Sequence, residues 1–169
     1  MESQNLEELK KLMDRFENDA DNVADEKAQQ AQVRKEFLDQ FEKIKHEVIW
    51  PVLVDVGNQL NSYGEDYHVS EDKERVDATA HAEPSSITFN IYPKTVNRAF
   101  YKPESTPYIQ FAADPYAHKI AVNVSTMMPG KGGVMGLHGL FDIDKITNDL
   151  VEKEVVEVLK HTLIFQRES

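Results

Sequence analysis

The stretch most suggestive of chemistry is PGKGGVMGLHG, residues 129–139, which holds five of the chain's seven glycines. Gly130, Lys131, Gly132 and Gly133 have the composition of a phosphate cradle. Such a cradle needs GxxxxGK[ST] between a strand and a helix, so that backbone amides wrap the phosphates and a hydroxyl meets magnesium. Here glycine follows Lys131, and a further strand follows the loop. The dinucleotide fingerprint GxGxxG fails as well, because Met135 stands where its third glycine belongs. The loop therefore reads as a connection between strands. Contact with a ligand or partner through Gly130, Lys131, Gly132, Gly133 and Met135 is the alternative. Met127, Met128 and Met135 flank it, as adaptable apolar surface or as core closing the end of a sheet.

Six histidines come next: His46, His68, His81, His118, His138 and His161. Strand pairing could gather His68, His81, His118 or His138 with Asp66 or Asp77 into a zinc-like site. No HxH, HExxH or HxxxH spacing calls for one, so no metal ligand is assigned and no cofactor is expected. Serine chemistry lacks a GxSxG elbow. Carboxylates are abundant, but an acid–base pair cannot be picked out without a fold. The balance leans away from an enzyme, and no catalytic residue is assigned. Tyr92, Phe100, Tyr101, Tyr108, Phe111 and Tyr116 could line a pocket between sheet and helix, or simply fill a sheet core.

Composition narrows the class. The chain has 169 residues, a net charge of −11 and no cysteine. An acidic chain lacks the basic face of a nucleic-acid binder and is not drawn to anionic membranes. Without cysteine there is no disulfide, thiol nucleophile or thiolate metal site. The first residues, MESQNLEELKK, contain no apolar signal core, and no run is long enough to span a bilayer. The expectation is a cytoplasmic protein of one domain, 1–169, with no nucleic-acid or membrane partner.

The elements that must position these residues are organised around 33–63. Phe37, Phe41, Ile44 and Val48 recur at helical spacing, and Val52, Val56, Leu60 and Tyr63 continue the row past Pro51. This predicts a long central helix kinked at Pro51, within a helical region 21–63. Residues 48–56, VIWPVLVDV, are apolar on both sides. Ile49, Trp50, Leu53 and Val54 are the candidate interface with a second copy of the chain, and Trp50→Glu should then break the dimer. A buried strand is the rival reading of 48–56, but Pro51 cannot donate to a ladder.

Upstream, Leu6, Leu9, Met13, Phe16, Ala20 and Val23 alternate spacings of three and four, a heptad-like seam. In phase with it follow Lys27, Gln30 and Arg34, all polar. The cluster NDADN, 18–22, favours a turn that folds a first helix, 5–16 with Asn5 as its cap, back on the central one. A single helix of roughly 55 residues, about 80 Å long, that pairs with another chain is the alternative. Residues 1–20 are a candidate partner-dependent helix.

Gly64 should cap the central helix. Strand grammar occupies 64–143: weak alternation at Tyr67 and Val69, a charged turn or edge at 70–75, and a short strand at 76–82. Clear alternation follows at 85–92, then a hairpin of 108–113 with 118–127 about Asp114, and a last strand at 137–141. A final helix, within 144–166 and capped by Asp142 or Asp144, carries Ile146, Leu150, Val151, Val155, Val158, Leu159 and Leu163. Strands grouped apart from helices predict an α+β fold with an antiparallel sheet of four or five strands packed on the central and C-terminal helices. A sheet flanked by helices is similar in outline to small secretion chaperones and other acidic dimeric adaptors, a likeness of fold that carries no function by itself. The expected function is a self-associating protein-interaction or adaptor module, with possible further protein partners. The alternative is a small-molecule binder or enzyme whose pocket, between the aromatic strands and the helices, is gated by 130–139.

Overall fold

A computed structural model describes residues 3–76, 82–94, 102–128 and 132–167. Its elements run helix, helix, strands, helix: an α+β arrangement. The chain divides into two compact units, 1–36 and 37–169.

Helix α1 (Gln4–Ile44) is continuous, and there is no turn at 18–22. The asparagines and aspartates there are solvent-exposed. Each such residue costs only a few tenths of a kcal/mol in a helix interior, and neither glycine nor proline accompanies them. Composition suggested a turn, but nothing in the backbone chemistry forces one. The helix also starts before Asn5: the Ser3 carbonyl accepts the Leu6 and Glu7 amides at 2.9 and 3.3 Å.

In unit 37–169 the helix persists through a π-helical turn (Lys45–Ile49) into α2 (Trp50–Ser62). Pro51 is the physical cause. Its ring excludes the ordinary bond to the carbonyl four residues back, so the preceding turn widens by one residue. The Trp50 amide accordingly bonds to the Lys45 carbonyl, five residues back. One extra residue rotates everything downstream by about 100°. The buried row therefore becomes Phe37, Phe41, Lys45, Ile49, Leu53 and Gly57, one residue in every four. The row read through Val48, Val52 and Val56 is displaced sideways. Val52 remains buried while Val48 and Val56 are half-buried, and Tyr63 lies in solvent. Downstream, α2 ends as expected at Gly64. Glu65 N–H bonds to the Leu60 carbonyl at 3.1 Å, Gly64 N–H bonds to that of Asn61 at 2.9 Å, and Gly64 takes φ +83°. This double bond pattern needs a left-handed residue.

Five antiparallel strands follow in the order β1 (Asp66–Asp72), β4 (Ser86–Tyr92), β5 (Tyr108–Asp114), β6 (Lys119–Ser125), β7 (Met135–Asp142). A short ribbon, β2 (Arg75–Val76) with β3 (Ala82–Glu83), connects β1 to β4. It occupies the ends of the predicted 76–82 strand, whose 77–81 lie outside the described residues. Strand β6 starts at Lys119 rather than His118. His118 closes the turn at φ +53°, and the Asp114 carboxylate accepts the Tyr116 and Ala117 amides at 3.0 Å.

One face of the sheet carries Ile87, Phe89, Ile91, Ile109, Phe111, Ala113, Ile120 and Val122 into the core. There it meets Phe41, Ile49 and Leu53, and Ile146, Val151, Val155, Val158 and Leu159 around α3 (Asn148–Arg167). Each large side chain so buried contributes roughly 1.5–3 kcal/mol. The opposite face is not uniformly wet. Thr88, Gln110 and Asn123 form a hydrogen-bonded ladder across it at 3.3 and 3.2 Å. Asn90 is buried and donates to the Pro103 carbonyl at 2.9 Å. Neither Asp142 nor Asp144 caps α3: Asp142 ends β7, and a 3-10 turn (Ile143–Lys145) intervenes. Thr147 is the cap, its hydroxyl accepting the Leu150 amide at 3.2 Å.

Candidate functional site

Three features of the described residues could carry function. The first is built on the π-helical turn. Because the buried row advances by four, it reaches Lys45, which is fully buried. An ammonium there needs partners. Glu42 Oε1 lies at 3.0 Å, Glu71 Oε2 at 3.7 Å, the Asp72 carbonyl at 3.4 Å, and the Phe41 ring centroid at 5.6 Å. Around this centre, the Ser85 hydroxyl donates to Glu42 and His46 Nε2 stands 2.9 Å from Glu71. Burial pushes the Glu42 carboxyl up. Its hydrogen bonds from Ser85 and Lys45, with the Lys45 and His46 charges, outweigh that and hold it below the usual glutamate value.

The chemistry of this cluster is structural. A nucleophilic lysine needs a neutral, available amine, and Lys45 is engaged by two carboxylates and a carbonyl. Glu42, His46 and Glu71 bring ligand atoms within 4.8 Å of one another, the one such grouping among the described residues. The Lys45 ammonium already occupies the same two carboxylates. The network ties the helix to the sheet-edge strand β1 and to the residue before β4.

The second feature is a cleft of about 250 Å³ between β6, β7 and α3, walled by Val124, Val134 and Val158. His138, Glu154, Glu157 and His161 also line it. His138 is the extra residue of a bulge in the β6–β7 pairing, between Leu137 opposite Asn123 and Gly139 opposite Val122. Its Nε2 lies 3.0 Å from Glu154 Oε2, and Glu154 is itself buried.

The third feature is the seam of residues 4–36. Leu6, Leu9, Met13, Phe16 and Val23 are all at least half exposed, Phe16 at 69%, and Leu12 beside them is 62% exposed.

The residues singled out from sequence are placed as follows. Ile49 and Leu53 are fully buried within the chain's own core, which removes them as contacts for a second molecule. The one-residue shift at the π turn is the reason. Trp50 packs partly buried against that core, and Val54 is half-buried. In the glycine loop, Gly130 and Lys131 lie outside the described residues. Gly132 bridges Met128, and the Thr126 amide bonds to the Val134 carbonyl at 2.8 Å, so the loop prolongs the β6–β7 hairpin. Met135 is exposed and Met128 is buried. Gly133 has a positive φ, and a Cβ there would meet the Thr126 carbonyl oxygen at 2.6 Å.

Among the described residues the strand histidines are not gathered. β1, with His68, and β7, with His138, are opposite edges of the sheet, and His118 sits in a turn. His81 and Asp77 lie outside the described residues, as do Phe100 and Tyr101. Phe111 is core, Tyr92 is buried, and Tyr116 is exposed, so none of them lines the cleft. Lys45, Glu71 and Glu154 went unnoticed in the sequence, and Ser85 stood out from the other serines by no motif. The strict four-residue row from Phe37 to Gly57, with a lysine in its third place, is the signal that could have found the first.

No helix of the described residues is long and apolar enough to cross a membrane. No protein-family model, curated protein or solved structure compared with the chain matches it.

Proposed function

We propose that the chain is a protein-interaction module that self-associates, and that the seam of residues 4–36, rather than the central helix, is the surface it uses. One observation carries this reading: five large apolar side chains at heptad spacing stand exposed on a continuous helix. An apolar stripe of that kind is stabilised by burial against another helix. Ordinary scattered exposure of single apolar residues does not produce such a row. Cytoplasmic location and further protein partners belong to the same proposal.

Native mass spectrometry of the intact, untagged chain at micromolar concentration tests it. A dimer of unmodified mass is expected. Phe16→Glu places two charges in the seam and should weaken the dimer by at least thirtyfold, about the 2 kcal/mol of an interface hot spot. Phe16 is a better probe than Trp50, whose substitution would disturb the core it packs on. A monomer at all concentrations refutes the reading.

A second reading rests on the cleft beside His138. Its walls are largely apolar, with an imidazole–carboxylate pair at one side. That combination suits a small molecule with an apolar body and one polar group. Added mass retained by the native monomer, and lost in His138→Ala, would favour it over self-association.

A further inference from the structure

The proposed self-association leaves open how two seams meet, and the seam's own pattern answers this. Its apolar positions are symmetric about the midpoint between residues 14 and 15. Reversing one helix places Leu6 opposite Val23, Leu9 opposite Ala20 and Met13 opposite Phe16, with every apolar position matched. The large–small pairing of Leu9 with Ala20 keeps that layer from overfilling. The central layers bring the Met13 sulfur to the Phe16 ring twice, a favourable contact.

Charge selects the same direction. Residues 3–13 carry Glu7 and Glu8 against Lys10 and Lys11. Residues 14–26 carry Asp14, Glu17, Asp19, Asp21, Asp25 and Glu26 against Arg15 alone. A parallel pair would stack the acidic half on itself. An antiparallel pair lays the neutral half of one helix on the acidic half of the other. It also sets Lys10 beside Glu17 at the flanking positions, twice by symmetry. Flanking charges of this kind decide partner and orientation in coiled coils. In the parallel register Lys10 faces Asn5 and Glu17 faces Leu12, so no opposite charges meet.

We infer that the occupant of the seam is a second copy of this chain, docked antiparallel over residues 6–23 with Met13 against the partner's Phe16. The contact is about 26 Å long at 1.5 Å per residue and ends where Lys27, Gln30 and Arg34 enter the seam positions. It is isologous, closed by a two-fold axis, so it stops at a dimer. The inference rests on the self-association proposed above.

The absence of cysteine gives a background-free test. Leu9→Cys and Ala20→Cys variants are made separately, checked for unchanged helical circular dichroism, mixed, and oxidised. Denatured masses are then read without reductant. The antiparallel register predicts disulfide between the two different variants and none within either alone, because identical positions lie about 16 Å apart. Disulfides within each variant and none between them would overturn the antiparallel arrangement while leaving self-association standing. No disulfide of either kind, with wild type monomeric by native mass spectrometry, would overturn both.

Discussion

Removing the buried lysine should harm the protein less than removing its carboxylate. Lys45 is fully buried, whereas the Glu42 and Glu71 side chains keep 36% and 31% of their exposure. In Lys45→Met the apolar stem is conserved and the ammonium's desolvation cost disappears. Water can reach both carboxylates left behind, so the expected loss is within about 1 kcal/mol. In Glu42→Ala the ammonium stays buried with Glu71 at 3.7 Å and the Asp72 carbonyl at 3.4 Å. Stranding a buried charge costs 3–5 kcal/mol when nothing compensates it, so about 2–3 kcal/mol is expected here. Urea unfolding followed by Trp50, the single tryptophan, reads both. With a slope of about 2 kcal/mol/M, Glu42→Ala should lower the midpoint by roughly 1–1.5 M and Lys45→Met by less than about 0.5 M. The pH dependence has a definite sign. The folded Glu42 carboxyl lies below its usual value, so its contribution is present above the unfolded value and is lost as pH falls through the folded one. The gap between wild type and Glu42→Gln should therefore close in acid. Equal or greater loss in Lys45→Met than in Glu42→Ala would refute the reasoning.

Gly57→Ala should destabilise although alanine is the better helix former. A Cβ there meets the Tyr67 ring at 2.3 Å, and that ring stacks on Phe89 at 5.5 Å. The expected cost is about 1–3 kcal/mol in the same unfolding assay. Thr147→Ala removes the cap of α3 and should cost about 1 kcal/mol, with Thr147→Asp close to neutral. Phe16→Glu should abolish the dimer without moving the urea midpoint of unit 37–169, since Phe16 is exposed in unit 1–36.

The fold was legible wherever side-chain periodicity and backbone chemistry agreed. Ile87, Phe89 and Ile91 alternate because that strand has one core face, and Gly64 ends α2 because only a left-handed residue closes it. The misread elements are those where one backbone irregularity resets the phase. Pro51 was seen, but a kink preserves register and a π turn does not, and so Ile49 and Leu53 were assigned outward. Asn18 to Asn22 misled because turn preference is weak where helix formers flank it on both sides. The places of Glu154 and Ser85 could not be read because they arise only when distant segments meet. The seam was legible as a pattern, and its exposure was not.

Sheet order also bears on how the chain reaches this fold. From β4 to β7 each strand pairs with the next in sequence, and β1 is joined to α2 through the tight turn at Gly64. Each set is built from pairings between elements adjacent in sequence, which form faster than distant ones. The π turn, α2 and β1 make one local assembly, and the four-stranded meander makes the other. The pairing of β1 with β4 joins them across the 73–85 connection, and Glu42 reaches Ser85 at the same junction. If the two halves form first, the Lys45 network closes between them last, and its loss should then speed unfolding more than it slows folding.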